Sequence, residues 1–206
     1  MHHQLSHTLL PPHPLPHFGQ MVGVFNDEEI DRIRFFKKIL DFTPAKIEGE
    51  GEATDAHQDY RVCDNAMMTV DENTQWLWNK VGDLTASANY DLFLYDISYI
   101  ESISYLVYEG NGESRYEWHT DINLMGYRKY DRKISGIIML SDPEDYEGGE
   151  LLVDNTGTGN DDSITDVKLA KGDVLFFDSN FRHCVKPVTK GTREVLVFWV
   201  HGRNKL

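Results

Sequence analysis

The segment Tyr116-Glu117-Trp118-His119-Thr120-Asp121 holds two residues whose types and spacing suit a metal ion. On an extended backbone alternate side chains share a face, so His119 and Asp121 can grip one ion while Thr120 points away. A third ligand is then needed. Of the other histidines after residue 20, namely His57, His183 and His201, only His183 follows directly on an apolar strand and a turn. Two imidazoles and a carboxylate on one face of an octahedron, with the opposite positions open, form the donor set of a non-haem iron(II) centre. An isolated His-x-Asp is a common coincidence, so the case rests on what surrounds it.

Short strands must position these residues. From Phe93 onward the helical period is lost, and β-branched and aromatic residues predict strands over about 98–108, 116–121, 134–141, 150–153, 165–169, 173–177, 183–187 and 194–201. Turn signals separate them, including Gly110-Asn111-Gly112, Gly148-Gly149, residues 155–160, Lys171-Gly172-Asp173 and Lys190-Gly191. With no helix between any two of them, a double-sheet jelly roll is expected rather than a parallel sheet. Such a fold brings His119 and Asp121, near its start, to His183 near its end.

Upstream the pattern is different. Residues 1–20 hold five of the nine histidines and four of the seven prolines, and read as a draped extended arm, separate from a single domain over 21–206. Asn26 caps a helix with Glu29 at its third position, and Ile30, Ile33, Phe36 and Leu40 predict a packing helix of about fifteen residues. A Gly-rich polar loop over 46–52, a short strand within 60–67 and a helix over 72–89 follow. Trp76 and Trp78 on that helix are read as packing residues. The fold expected is thus mainly β, a jelly-roll core over 91–206, with helical support from 21–90 packed on one sheet.

The formal net charge of −14 speaks against a sequence-independent grip on phosphate backbones. Only Arg128, Lys129, Arg132 and Lys133 make a local basic cluster. Two cysteines, Cys63 and Cys184, form no metal or disulfide pattern, which fits a reducing cytoplasmic setting. No signal peptide is expected, and no apolar run of about 18 residues spans a membrane.

Five phrases, in order, resemble the Fe(II)- and 2-oxoglutarate-dependent dioxygenases of the prolyl 4-hydroxylase superfamily, with wording similar to the bacterial PKHD-type hydroxylases. They are Tyr116 to Asp121, Arg132-Lys-Ile-Ser-Gly, Leu140-Ser-Asp-Pro-Glu-Asp-Tyr-Glu-Gly-Gly-Glu-Leu151, Lys171-Gly-Asp-Val-Leu-Phe-Phe-Asp, and His183 to Arg193. The likeness covers about residues 90–200 and implies a cupin-like double-stranded β-helix.

By that resemblance His119, Asp121 and His183 are the iron ligands. Arg193, ten residues after His183, is the partner of the distal carboxylate of 2-oxoglutarate, a role for which the guanidinium fork is suited. Tyr108 matches a tyrosine that reaches the cosubstrate, and Trp199 matches a cavity tryptophan, though core packing would equally suit it. Tyr127 and Arg128, in a segment after the metal ligands that could close over substrate, are candidate substrate contacts. The implied activity consumes O2 and 2-oxoglutarate, releases succinate and CO2, and hydroxylates a C–H bond, with a prolyl residue of a peptide or protein as substrate and ascorbate as a possible accessory reductant. A nucleic-acid demethylase of the same superfamily and a non-catalytic cupin-like binding module are the alternatives. The second has no need of Arg193.

Overall fold

The computed structural model describes residues 18–45, 60–122, 130–154 and 163–203. The 1–17 part of the arm, the 46–52 loop, His57, and Tyr127, Arg128 and Lys129 lie outside the described residues.

Two helices come first among the larger elements. Helix α1 (Asp27–Phe35) starts at the expected capping box: Asn26 Oδ1 accepts from Glu29 N, and Glu29 Oε2 from Asn26 N, each at 3.0 Å. The chain then tightens into a 3-10 turn over Phe36–Lys38, so the α-helix is shorter than the apolar stripe suggested. Helix α2 (Gln75–Ala88) buries Leu77, Val81, Thr85 and Ala88; Trp76 and Trp78, read as packing residues, are partly buried against the core, as is Leu84. Lys80 ties the two helices by donating to both Glu29 carboxylate oxygens at 2.6 and 2.7 Å.

Among the described residues the strands, in chain order, are β1 (Phe18–Met21), β2 (Thr43–Pro44), β3 (Arg61–Val62), β4 (Asp64–Met67), β5 (Ile97–Glu109), β6 (Arg115–His119), β7 (Tyr130–Met139), β8 (Tyr146–Gly148), β9 (Leu151–Asp154), β10 (Ile164–Val167), β11 (Val174–Asp178), β12 (Arg182–Val185) and β13 (Val188–Arg203). They make two facing sheets. One runs β1-β11-β7-β13-β5-β4-β2, with β8 added beside β13; the other runs β10-β9-β12-β6-β3. Every pairing is antiparallel, as a jelly roll requires.

Strand alternation splits the interior in two. Ile103, Tyr105 and Val107 of β5, Ile134 and Ile138 of β7, Val174 and Phe176 of β11 and Leu196, Phe198 and Val200 of β13 face the helices. Their neighbours Leu106 and Tyr108, Ile137 and Met139, Leu175 and Phe177, and Val195 face the second sheet. The larger sheet is therefore buried on both faces, which is why its strands read as near-continuous apolar runs. Gly136 of β7 has no side chain because the Phe198 ring occupies the place; an added Cβ would lie 2.0 Å from Phe198 Cζ.

Three expectations need correction. The arm does not extend to residue 20: Phe18–Met21 is strand β1, paired with β11 and held there by Asp173, which is 2% exposed. Its carboxylate accepts from Gln20 Nε2 at 2.7 Å, Gly23 N at 2.8 Å and Ala170 N at 2.9 Å. Next, the single strand expected within 60–67 is split into β3 and β4, which belong to different sheets, and β2 adds a further strand that was not expected in the helical region. Finally, Lys190-Gly191 is not a turn between strands. Gly191 adopts φ +71° inside β13, at a place where a Cβ would meet Asp145 O at 1.9 Å, so the strand bends and continues.

Asp173→Ala should strand two backbone N–H groups and loosen β1. We expect a loss of about 2–3 kcal/mol in urea unfolding and faster amide exchange confined first to residues 18–23; unaltered exchange there would show that the carboxylate does not hold the strand.

Candidate active site

Strands β6 and β12 are neighbours, and their register sets His119 opposite His183. Cross-strand partners lie within side-chain reach, and here the imidazole centroids are 4.0 Å apart. Asp121 follows β6, with its N–H donating to Ser179 O at 3.0 Å. That bond places the carboxylate against both rings: Oδ1 is 3.6 Å from His119 Nε2, and Oδ2 is 3.6 Å from His183 Nε2. One donor atom from each residue fits within 4.8 Å of the others.

Backbone carbonyls select the ring nitrogens. His119 Nδ1 lies 2.7 Å from Glu117 O, and His183 Nδ1 lies 3.0 Å from Phe181 O. A carbonyl only accepts, so each Nδ1–H donates and each Nε2 keeps its lone pair for a metal. Burial, and after it the neighbouring His183, push His119 down to about 3, so the ring stays neutral. Burial alone would raise the Asp121 carboxyl; the two imidazoles and the donors Ser135 and Trp199 outweigh it and hold the group below the usual carboxylate range. Two imidazoles and one carboxylate on one side of a point suit a divalent ion with open positions.

Behind the carboxylate, Ser135 Oγ donates to Asp121 Oδ2 at 2.7 Å and is 2.9 Å from Ser179 Oγ. Trp199, the expected cavity tryptophan, lines the cavity beside Asp121 and helps hold its carboxyl down. Arg132 lies 4.2 Å from the centroid of the Trp199 ring and is held by Glu101, from Nε at 2.8 Å and Nη2 at 2.5 Å. Of the basic cluster, Arg132 is thereby neutralised. Glu101 in turn bonds His201, so that buried histidine stands apart from the triad.

The triad opens into a cavity between the sheets. Arg193, Val195, Val197 and Trp199 line it from β13 at alternate positions, Ser135 and Ile137 from β7, Leu106 and Tyr108 from β5, and Arg61 from β3. Arg193 is 1% exposed, its guanidinium carbon 5.4 Å from the Tyr108 ring centroid. Its Nε has no hydrogen-bond partner, and among the described residues no carboxylate pairs with it. Gly149, at φ +68°, makes room for the stem: an added Cβ would lie 2.9 Å from Arg193 Cδ.

Every candidate of the sequence reading that the structure describes, His119, Asp121, His183, Arg193, Tyr108 and Trp199, thus lines one cavity. Sequence reading missed Ser135, Ser179, Arg61 and Tyr116. Ser135 lies in the Arg132-to-Gly136 phrase and Tyr116 beside the metal motif, which gave a signal for both. Ser179 and Arg61 carry none without the strand register.

A jelly roll with two histidines and an aspartate at one end of its cavity is the architecture of an iron(II) oxygenase domain. Residues 103–201 match the family model of the 2OG-Fe(II) oxygenase superfamily. A PKHD-type hydroxylase of Maricaulis maris (strain MCS10) is 42% identical over 84 residues, 41% of this chain and 35% of that protein, so the match spans about a third of that relative's length. A PKHD-type hydroxylase of Pseudomonas aeruginosa (strain LESB58) is 27% identical over 186 residues, 87% of this chain and 76% of that one. Among solved structures, a prolyl hydroxylase from Trichoplax adhaerens, in complex with a hypoxia inducible factor oxygen degradation domain peptide fragment, superposes with a TM-score of 0.68 at 18% identity, covering 89% of this chain and 83% of that chain. Over residues 103–201 the chain is thus similar to the 2OG-Fe(II) oxygenases, and its fold is similar to that of a prolyl hydroxylase.

Ser135→Ala removes the hydroxyl that fixes Asp121 Oδ2 while leaving all three donors in place. Affinity for Mn(II) or Co(II) should fall about 10-fold or more, as is usual when a ligand's supporting hydrogen bond is lost; calorimetric titration at unchanged thermal stability checks it.

Proposed function

We propose that the protein is an Fe(II)- and 2-oxoglutarate-dependent dioxygenase that hydroxylates a C–H bond, with a prolyl residue in a peptide or protein as substrate. The observation that carries this reading is Arg193: a guanidinium 1% exposed, without a carboxylate partner among the described residues, in the cavity that the triad opens into. A buried charge without a partner is costly, and a ligand carboxylate supplies the partner that the protein does not. A non-catalytic module would have no use for it.

In this reading His119, Asp121 and His183 hold the metal from one side. The bound iron and 2-oxoglutarate supply the oxidising chemistry, with O2 consumed and succinate and CO2 released. Arg193 fixes the far carboxylate of the cosubstrate through its fork, which sets the other end of the molecule toward the triad. Val195, Val197, Ile137, Leu151 and Phe177 keep the wall apolar and exclude water. Trp199 stands at the metal end, where it both steadies Asp121 and presents a ring to substrate. A peptide substrate agrees with the peptide complex of the Trichoplax adhaerens neighbour. Tyr127 and Arg128 stay candidates for contacting it.

Succinate release from 2-oxoglutarate, dependent on Fe(II) and stimulated by proline-containing peptides, tests the whole reading. Within it, Arg193→Leu leaves a carboxylate unpartnered at a cost of about 2–5 kcal/mol, so the dissociation constant for 2-oxoglutarate should rise about 30-fold or more while Fe(II) affinity holds. His119→Ala and His183→Ala should instead lose the metal itself. An unchanged 2-oxoglutarate midpoint in Arg193→Leu, read from the absorption of the anaerobic Fe(II) protein, rejects the assignment.

A further inference from the structure

The cavity encloses a second arginine that its other residues do not neutralise. Arg61 sits on β3, the edge strand of the smaller sheet, paired with Tyr116. Its guanidinium carbon lies 4.8 Å from the Tyr116 ring centroid, and the same ring stacks on His119 with centroids 3.5 Å apart. Arg61 Nε is buried without a hydrogen-bond partner. The groups that its charge meets are Tyr108, Cys63 and Tyr116, and burial pushes all three upward, so each is neutral at pH 7. None can serve as a counter-ion.

The other described arginines show how unusual this is. Arg34, Arg115, Arg132 and Arg203 each have a carboxylate within 4.0 Å. Arg32 donates to a backbone carbonyl beside Trp76, and Arg182, which is exposed, lies over Trp118. Among the described arginines only Arg61 and Arg193 line the cavity, and neither has a carboxylate within 4.0 Å among the described residues. Their shared neighbour is Tyr108, whose hydroxyl feels both charges. In a chain of net charge −14, acidic partners are in excess, yet none among the described residues is spent on this pair.

We infer that Arg61 is a second carboxylate-binding residue of the cavity, so that the dianion 2-oxoglutarate is met by two guanidiniums and not by Arg193 alone. This rests on the 2-oxoglutarate reading above. The carboxylate is either the far one, shared with Arg193, or the one beside the oxo group. The packing around Tyr116 and Cys63 preorganises the arginine, so that little ordering remains on binding.

The test is calorimetric titration of the Mn(II)-loaded protein, which does not turn over, with 2-oxoglutarate and with 2-oxovalerate, which lacks the far carboxylate. Arg61→Met should weaken 2-oxoglutarate about tenfold or more, the scale of one lost charged hydrogen bond, with Mn(II) affinity unchanged. Arg61→Lys, which keeps the charge and the fold but loses the fork, should fall between. Weakening of both ligands by Arg61→Met assigns the carboxylate beside the oxo group; weakening of 2-oxoglutarate alone assigns the far one. If Arg61→Met and Arg61→Lys bind 2-oxoglutarate within twofold of the parent while Arg193→Leu loses it, Arg61 is only a stacking partner of Tyr116 and the inference is overturned. A parent protein that binds Mn(II) but not 2-oxoglutarate would instead overturn the cosubstrate reading, and Arg61 with it.

Discussion

The period of two along β13 is the constraint on which the rest of the structure depends. The strand runs for 16 residues and pairs with β5, β7 and β8. Arg193, Val195, Val197 and Trp199 project into the cavity; Leu196, Phe198 and Val200 project into the helical core. A slip of one residue in pairing would put a guanidinium among the helices and phenyl and isopropyl groups in the cavity. Register is held against that slip from both sides. Phe198 fills the place that Gly136 leaves on β7, and the Arg193 stem fills the place that Gly149 leaves beside it. The packing that fixes the fold is thus the same packing that aims the functional residues.

The opposite sheet solves a different problem, that of making two imidazoles and a carboxylate agree. His119 and His183 arrive on separate strands, and only the β6–β12 register makes them partners. Each ring is then oriented by a carbonyl two residues earlier in its own chain, Glu117 O or Phe181 O. That arrangement is local, so it forms whenever the strand forms, and it leaves Asp121 as the group whose position must be set from a distance. Ser135 and Ser179 do this from the larger sheet and the turn after it. The metal site is therefore a joint between the two sheets.

This division explains what was legible in the sequence. His119-x-Asp121 was readable because strand alternation is a local rule, and His183 because an apolar strand and a turn precede it. Arg193 was readable only through the resemblance, since ten residues of spacing say nothing physical without the bend at Gly191 that joins the start of β13 to its cavity-lining part. The jelly roll followed from strand composition and turn residues. The end of the arm did not, because Phe18–Met21 becomes a strand through the buried carboxylate of Asp173, some 150 residues away. Arg61 was invisible for the same reason: a two-residue edge strand acquires its meaning from the Tyr116 it pairs with.

Two enclosed guanidiniums also set a tension between stability and function. Removing a charge from water costs several kcal/mol unless a partner is supplied, and neither Arg193 nor Arg61 has an acid among the described residues. The protein nonetheless surrounds them with Tyr108, Leu106, Val195 and Leu151 and draws the charge toward aromatic faces, which recover part of the lost hydration through the ring quadrupole. On the 2-oxoglutarate reading the remaining desolvation cost is offset when the dianion binds. The same low dielectric that makes the empty cavity costly strengthens each guanidinium–carboxylate contact once water is excluded. On the 2-oxoglutarate reading, selectivity then follows without further contacts. A neutral molecule that fits the cavity would leave both charges unpaired, whereas a 2-oxo dicarboxylate would bring a carboxylate to each arginine, shared or separate.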